Sequence, residues 1–362
     1  VTSMGHLLHA YGEFGRHRRG KRKFAGFFGR DPLDVAADAR AMIEARDLSS
    51  IGPISYFNRH EPVTGKERVI GSECAMQQYL DYVAVTALQQ LFDAKIGYHQ
   101  CASIRGKGQA HALKYLKRWV RSSSSRYYVK LDVRKYYNNI DRDVLMGMLR
   151  RDVRNDDLLW LVEALIATHA KGLNIGSYLS QYLANYYLSG AYRYAEGLQK
   201  ERKSRRTGEV TDVKLVGHVL TYMDDWVLIG WDKRDLKMAV RRLVRYMRDV
   251  LRLEVKPWKP CAIDCEPIDM IGYVFRRTWT AVRAGIFLRA RRAFRSADRA
   301  LILTPHLAAR CLAYWGYFKA ACTRHYRKAH GIRKLVNDCK DVMSMAQVER
   351  NWYANNLQLG AA

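Results

Sequence analysis

The chain has 362 residues, 48% of them apolar and 27% charged. That is enough for two or three packed subdomains and too apolar for a disordered chain. Its 62 Lys and Arg against 35 Asp and Glu give a formal net charge of +27, which points to a polyanionic partner, nucleic acid first. No apolar run approaches the length of a membrane span, so a membrane surface is the weaker alternative. The first residues, VTSMGHLLHAYGEF, lack the apolar core and cleavage site of a signal peptide. The seven cysteines are odd in number and irregularly spaced, and Cys261 and Cys265 have no second pair to complete a metal site. Free thiols in a reducing cytoplasm are expected.

In chain order, RHRRGKRKFAGFFGR (16–30) interleaves a basic block with aromatics and reads as a nucleic-acid-contacting arm or as a solvated charge run. DPLDVAADARAMIEARDL (31–48) opens on Asp-Pro and has helical spacing, so it predicts a helix. Two short strands are expected over 54–72, joined by a turn at Thr64-Gly65. CAMQQYLDYVAVTALQQLF (74–92) predicts one long amphipathic helix, and the Gly-rich SIRGKGQAHALKYLKRWV leads into another. YYVKLDV (127–133) is a strand, LQKERKSRRTGE (198–209) a charged surface excursion, and 232–251 a helix with Leu236, Val240, Leu243, Val244 and Met247 on one face. From Arg276 to Lys334 there are fifteen Lys and Arg against one acid, Asp298. A basic face on a helical region suits a nucleic-acid duplex, and Arg289, Arg292 and Arg295 are its candidate contacts.

The chemistry concentrates in VLTYMDDWVLIG (219–230), where two adjacent carboxylates, Asp224 and Asp225, separate two β-favouring runs. Asp-Asp is compatible with a tight hairpin turn. The sharper alternative is a pair of ligands for divalent cations, because neighbouring carboxylates repel unless a cation lies between them. Asp132 ends the strand YYVKLDV, where it either caps the next helix or adds a third acid to the same centre. If the two strands are neighbours, three carboxylates can hold two Mg²⁺ ions about 3.5–4 Å apart, the clamp for in-line phosphoryl displacement. One ion would activate a primer 3′-hydroxyl and the other would neutralise a nucleotide triphosphate.

With these residues in view, the chain resembles reverse transcriptases of the bacterial lineage that includes group II introns, retrons, diversity-generating retroelements and defence-associated enzymes. KERVI (66–70) resembles the fingers motif that contacts the triphosphate, through Lys66 and Arg68, and IRGKGQAHA (104–112) the second fingers block. LDVRKYYNNID (131–141) is similar to the motif of the first catalytic Asp, with Tyr137 in the position that sterically excludes a ribose 2′-hydroxyl. GLNIGSYLSQYLANYYL (172–188) resembles the template-lining motif, placing Ile175, Gly176 and Gln181 at the nascent pair. YMDD is the signature hairpin, LRLEVKPWK (251–259) brings Lys259 toward the pyrophosphate, and Met270, Ile271, Gly272 and Tyr273 resemble the primer grip. The resemblance implies catalytic Asp132, Asp224 and Asp225, and a metal set of these three with Val133 for two Mg²⁺, or Mn²⁺ in their place. It implies an α+β right-hand polymerase: a basic N-terminal extension (1–48), fingers (49–130), a palm with an antiparallel sheet and part of the fingers (131–275) and a basic helical thumb (276–362). The expected partners are a noncoding template RNA, the cDNA product and dNTPs, with an accessory protein or a second copy of the chain also to be considered, and no membrane. The expected setting is the cytoplasm of a bacterium, with the gene bacterial or phage-encoded.

Most relatives read Gln-Gly and Ser-Pro in the template-lining motif, whereas this chain reads Ile175-Gly176 and Ser180-Gln181, with Asn174 replacing the usual Pro. The Ile-Gly and Ser-Gln form is similar to diversity-generating and some defence-associated enzymes. Losing a hydrogen-bonding amide at Ile175 would loosen base discrimination. The stretch after the primer grip has room for a thumb but not for the maturase-DNA-binding and endonuclease regions of a mobile intron enzyme, so a free-standing polymerase with a dedicated RNA is expected. The element context is antiphage defence, with mutagenic copying of a template repeat as the alternative. Two further readings stand beside these: a non-catalytic RNA-binding protein with a polymerase fold, and template-independent or protein-primed synthesis.

Overall fold

The structure, a computed structural model, describes residues 1–16, 18–61, 65, 67–204 and 206–359. Thr64 of the expected turn and the expected triphosphate contact Lys66 lie outside them. The strands are β1 (Ser55–His60), β2 (Glu67–Ser72), β3 (Tyr127–Asp132), β4 (Gln199–Lys203), β5 (Val210–Lys214), β6 (His218–Tyr222), β7 (Asp225–Gly230), β8 (Pro260–Ala262), β9 (Ile268–Met270), β10 (Tyr273–Phe275) and β11 (Thr280–Val282). Every strand pairing given by register is antiparallel, and helices make up most of the rest, so the expected α+β class is the one found.

The chain divides into two compact units. The first comprises Val1–Arg59, Arg68–Tyr115 and Ser123–Ala262. Its centre is a four-stranded sheet in the order β6-β7-β3-β8. Pleating sends Val129, Leu131, Trp226 and Leu228 to one face, where they are fully or nearly fully buried in the core. The alternate residues Lys130, Asp132 and Asp225 point to the other face. Helix Lys233–Asp249 packs on β3 and β7 through Leu236, Val240, Leu243 and Met247, the apolar face its spacing predicts. Helix Tyr178–Gly197 is buried along most of its length.

Two expectations are revised in this unit. The segment 74–92 is not one amphipathic helix: it breaks at Leu88 into Ala75–Ala87 and Gln89–Lys95, and residues 79–85 are buried all round. Nor is the basic segment 16–30 a free arm. Phe24, Phe27 and Phe28, at i, i+3 and i+4, share one face and pack with Tyr11, Phe14 and Tyr79. Arg18 donates to the Tyr82 hydroxyl at 2.7 Å and lies 5.0 Å from the Phe14 ring centroid. Part of the basic block is therefore bound to the protein's own rings.

The second unit comprises His60–Glu67, Leu116–Ser122 and Ile263–Ala362. A three-stranded meander in the order β11-β10-β9 is followed by helices Ala284–Asp298, Pro305–Ala320, Arg324–Ala329 and Ile332–Leu359. Ala290, Phe294, Tyr314, Phe318 and Val336 form its interior. Of the aromatics interleaved with the C-terminal arginines, Phe294, Tyr314 and Phe318 are thus core: Phe287 stacks on Phe318 at 5.3 Å and Phe294 meets its edge at 5.2 Å. Among the described residues no helix is long and apolar enough to cross a membrane.

Candidate active site

The register of the central sheet assembles the three acids. In the β6–β7 hairpin Tyr222 pairs with Asp225, which leaves Met223 and Asp224 as a two-residue loop. Met223 takes a left-handed φ of 55°, a conformation unusual for a side-chain-bearing residue and common at functional turns. Asp225 opens β7 directly opposite Asp132, the last residue of β3. The Val133 amide donates to the Asp224 carbonyl at 3.2 Å, tying the end of β3 to the hairpin tip. Asp132 does not cap the next helix: Tyr136–Asn139 has Lys135 before it and no side-chain cap.

Each strand acid faces a lysine. Lys256 Nζ donates to Asp132 Oδ2 at 2.9 Å, and Lys130 Nζ lies 3.5 Å from Asp225 Oδ1. The bond to Asp132 raises the Lys256 pKa, with Asp224 and Asp225 adding to it. Burial, then the charges of Asp225 and Asp132, raise Asp224 above its ordinary range, with Arg68 acting in the opposite direction. Among the described residues no three His, Cys, Asp or Glu side chains close around one point as a preformed cation cage. The donor set nevertheless fits a hard dication, because three carboxylates with hard oxygen donors are crowded at one strand end. Val133, whose only oxygen is its main-chain carbonyl, is bridged to Val255 beside Asp132.

The other candidates surround this centre to different degrees. Tyr137 is half-buried and its hydroxyl donates to the Met223 sulfur at 3.8 Å. Burial and the charge of Asp224 push its pKa up. Arg68 on β2 is exposed and within electrostatic range of both Asp224 and Tyr137. Lys259 is exposed just before β8, and Lys256, three residues earlier, reaches the Asp132 carboxylate.

The segment 172–181 is held to its surroundings by backbone approach. At Gly172, with φ 61°, an added Cβ would lie 2.2 Å from the Tyr137 carbonyl, and Leu173 N donates to that same oxygen. Asn174 donates to the Gly71 carbonyl at 3.2 Å and to Glu73 at 2.8 Å, while accepting from Gly176 N at 3.1 Å. The asparagine in the place of the usual proline therefore joins this loop to β2. Asp81, fully buried, accepts from Ser177 Oγ and from the Tyr178 and Leu179 amides at the start of helix Tyr178–Gly197. Ile175 and Gln181 are half-buried and Gly176 is exposed. At Gly176 a Cβ would meet the Gly71 carbonyl at 1.9 Å. Gly176→Ala is accordingly expected to lose roughly 1–3 kcal/mol of stability and to raise the KM for nucleotide; an unchanged melting temperature and KM would show that the loop is not pinned there.

In the second unit Met270, Ile271, Gly272 and Tyr273 form the turn between β9 and β10, with φ of 50° at Ile271 and 85° at Gly272, the pair of positive values that a primed hairpin turn needs. Met270 and Tyr273 are buried, and a Cβ on Gly272 would lie 2.5 Å from the Tyr317 ring. Arg292 and Arg295 are exposed on helix Ala284–Asp298, opposite its buried Ala290, Phe294 and Ala297, while Arg289 is half-buried near Gly65.

Lys130 and Lys256 were not singled out from the sequence. The spacing Lys130-Leu131-Asp132 does place Lys130 on the face of Asp132, so that signal was present. Lys256 is brought in by a main-chain bond, Lys256 N to Asp132 O at 3.0 Å, which no local pattern announces.

No curated protein matches this chain. Among solved structures it is similar to telomerase from Candida albicans in complex with a TWJ fragment of telomeric RNA (TM-score 0.46, 11% identity, 83% of this chain and 59% of that one). It is also similar to an apo telomerase from Candida tropicalis truncated from its C-terminal domain (0.44, 12%, 64% and 54%), and to the BmCPV RNA-dependent RNA polymerase at the elongation state (0.44, 11%, 80% and 28%). The chain thus spans less than two thirds of each of these relatives. Its sequence matches the reverse transcriptase (RNA-dependent DNA polymerase) family over residues 58–275, more than half of its length, and the chain belongs to that family.

Proposed function

We propose that the chain is an RNA-directed DNA polymerase that extends a primer 3′-hydroxyl with deoxynucleotides on an associated noncoding RNA. The observation that carries this reading is the pairing of Asp132 with Asp225 beside Asp224 at the hairpin tip, in a chain of this family. Two Mg²⁺ ions held by Asp132, Asp224, Asp225 and the Val133 carbonyl would supply charge neutralisation and a more acidic hydroxyl. The chain's own residues position the reactants around them. Arg68 supplies positive charge on the triphosphate side, and Lys66 and Lys259 are assigned to the same role. Lys256 and Lys130 neutralise Asp132 and Asp225, and a divalent cation would compete with them for those carboxylates. Tyr137 fills the space a 2′-hydroxyl would need, and the Ile175-Gly176 loop with Gln181 lines the nascent pair.

In this reading residues 49–130 act as fingers, 131–275 as palm and 276–362 as thumb, with the β9–β10 turn as the primer grip. The lineage is the bacterial one of retrons, diversity-generating retroelements and defence enzymes, and the role is antiphage defence. The partial departure of the Asn174-Ile175-Gly176 segment from the diversifying form supports that role. A variable target gene with a near-identical repeat beside the gene would instead assign mutagenic copying. The test is to sequence the nucleic acid that copurifies with the chain: cDNA complementary to one noncoding RNA is expected, and RNA without any cDNA would favour a binding protein.

The thumb assignment has its own check. Reversing Arg289, Arg292 and Arg295 to Glu is expected to weaken primer–template binding across sequences and to lower the salt slope by roughly 0.7–0.9 per lost phosphate contact. Single-nucleotide addition at saturating primer–template should change less. Equal affinity and equal salt slope would mean that these arginines only solvate a helix face.

A further inference from the structure

The catalytic acids lie at one end of β7, and a second polar cleft lies at the other. β7 is six residues long, so its ends are roughly 17 Å apart. Beyond Gly230, a cleft of about 970 Å³ opens between the β4–β5 hairpin, the far ends of β6 and β7, and the first turn of helix Lys233–Asp249. Its cations come from three separate elements: Lys200 and Arg202 on β4, Lys214 on β5 and Arg234 on the helix.

The acids of the cleft are already engaged. Asp232 caps the helix, accepting from the Arg234 and Asp235 amides at 2.8 and 2.9 Å, and Asp235 is paired with Lys200. Arg202, Lys214 and Arg234 carry no salt bridge among the described residues, so the cleft keeps a surplus of positive charge. Its apolar element is Trp231, 58% exposed, with the Arg126 guanidinium 5.0 Å from its ring centroid. Burying such an indole would remove a large apolar surface from water, yet the fold leaves it at the lip of a basic cleft. The chemistry of β3–β7 does not use these residues, and the charged excursion 198–209 has no part in the active site.

We propose that this cleft is a separate anchoring site for single-stranded RNA, with phosphates along Arg202, Lys214 and Arg234 and a base stacked on Trp231. It rests on the functional reading above only in taking the bound strand to be part of the RNA that is copied. A π-face beside spaced cations is the combination that holds single strands without reading their sequence. An anchor at this end of β7 keeps an unpaired part of the RNA on the protein while the copied part moves past Asp132 and Asp225.

The test uses the full chain and a labelled single-stranded RNA of about 12 nucleotides, within the span such sites cover, with no dNTP present. Three variants are compared: Arg202→Glu with Lys214→Glu, Trp231→Ala, and Trp231→Phe. The first two are expected to weaken binding by roughly five- to a hundredfold, with Trp231→Phe close to wild type. Single-nucleotide addition on a short preannealed primer–template at saturation should stay unchanged. Because binding is read without synthesis, an inactive wild-type enzyme would overturn the polymerase reading and leave this result standing. Wild-type affinity in both the double variant and Trp231→Ala would overturn the anchor. So would equal competition by poly-glutamate together with indifference to Trp231→Ala, which would make the cleft a site for acidic peptides.

Discussion

Asp224→Ala and Asp225→Asn are each expected to abolish primer extension while leaving RNA binding largely intact. Asn at 225 keeps the shape of the side chain and its place opposite Asp132, so only a charge and a hard oxygen ligand are lost. Removing such a ligand should take several kcal/mol from transition-state stabilisation, on the order of a thousandfold in rate or more. The same substitution removes a like charge beside Asp224, whose pKa is raised by burial and then by Asp225. Asp225→Asn should therefore melt no lower than wild type, which separates lost chemistry from lost folding. Near-wild-type incorporation by either variant would show that the YMDD turn is only a turn.

Tyr137→Ala or Tyr137→Gly is expected to admit ribonucleotides. The tyrosine backbone is fixed by Gly172 and Leu173, its ring meets Tyr136 edge-on with centroids 5.8 Å apart, and its hydroxyl reaches Met223. A ring held between Tyr136 and Met223 on a fixed backbone acts as a wall, and discrimination by a wall is repulsive, so truncation removes the barrier without removing an attraction. The ratio of dNTP to rNTP incorporation should fall by on the order of tenfold or more. An unchanged ratio in an active variant would make Tyr137 a packing residue.

The parts of the site legible in the sequence are those governed by local periodicity. Alternation along YYVKLDV and WVLIG is enough to expect two strands with their acids at one end, and the β3–β7 register bears out that they are neighbours. The helix Lys233–Asp249 likewise follows from its apolar spacing. What could not be read depends on contacts distant in sequence. Lys256 reaches Asp132 across 124 positions, and Asn174 joins β2 across about a hundred. The basic run 16–30 looked like an arm because its charges dominate the string. Its three phenylalanines decide the outcome instead, since packing them against Tyr11, Phe14 and Tyr79 outweighs solvating the segment. The absence of an amphipathic face on 75–87 has the same origin, because residues 79–85 are buried on every side.

In the proposed function Asp132, Asp224 and Asp225 add deoxynucleotides under the direction of RNA. The most direct measurement is addition of one nucleotide to a DNA primer annealed to RNA, with Mg²⁺, for the wild-type chain and Asp132→Asn, on four templates that differ only in the next base. We expect wild type to add the complementary deoxynucleotide on each template and Asp132→Asn to add none. Addition that ignores the template base, or that survives Asp132→Asn at the wild-type rate, would contradict it.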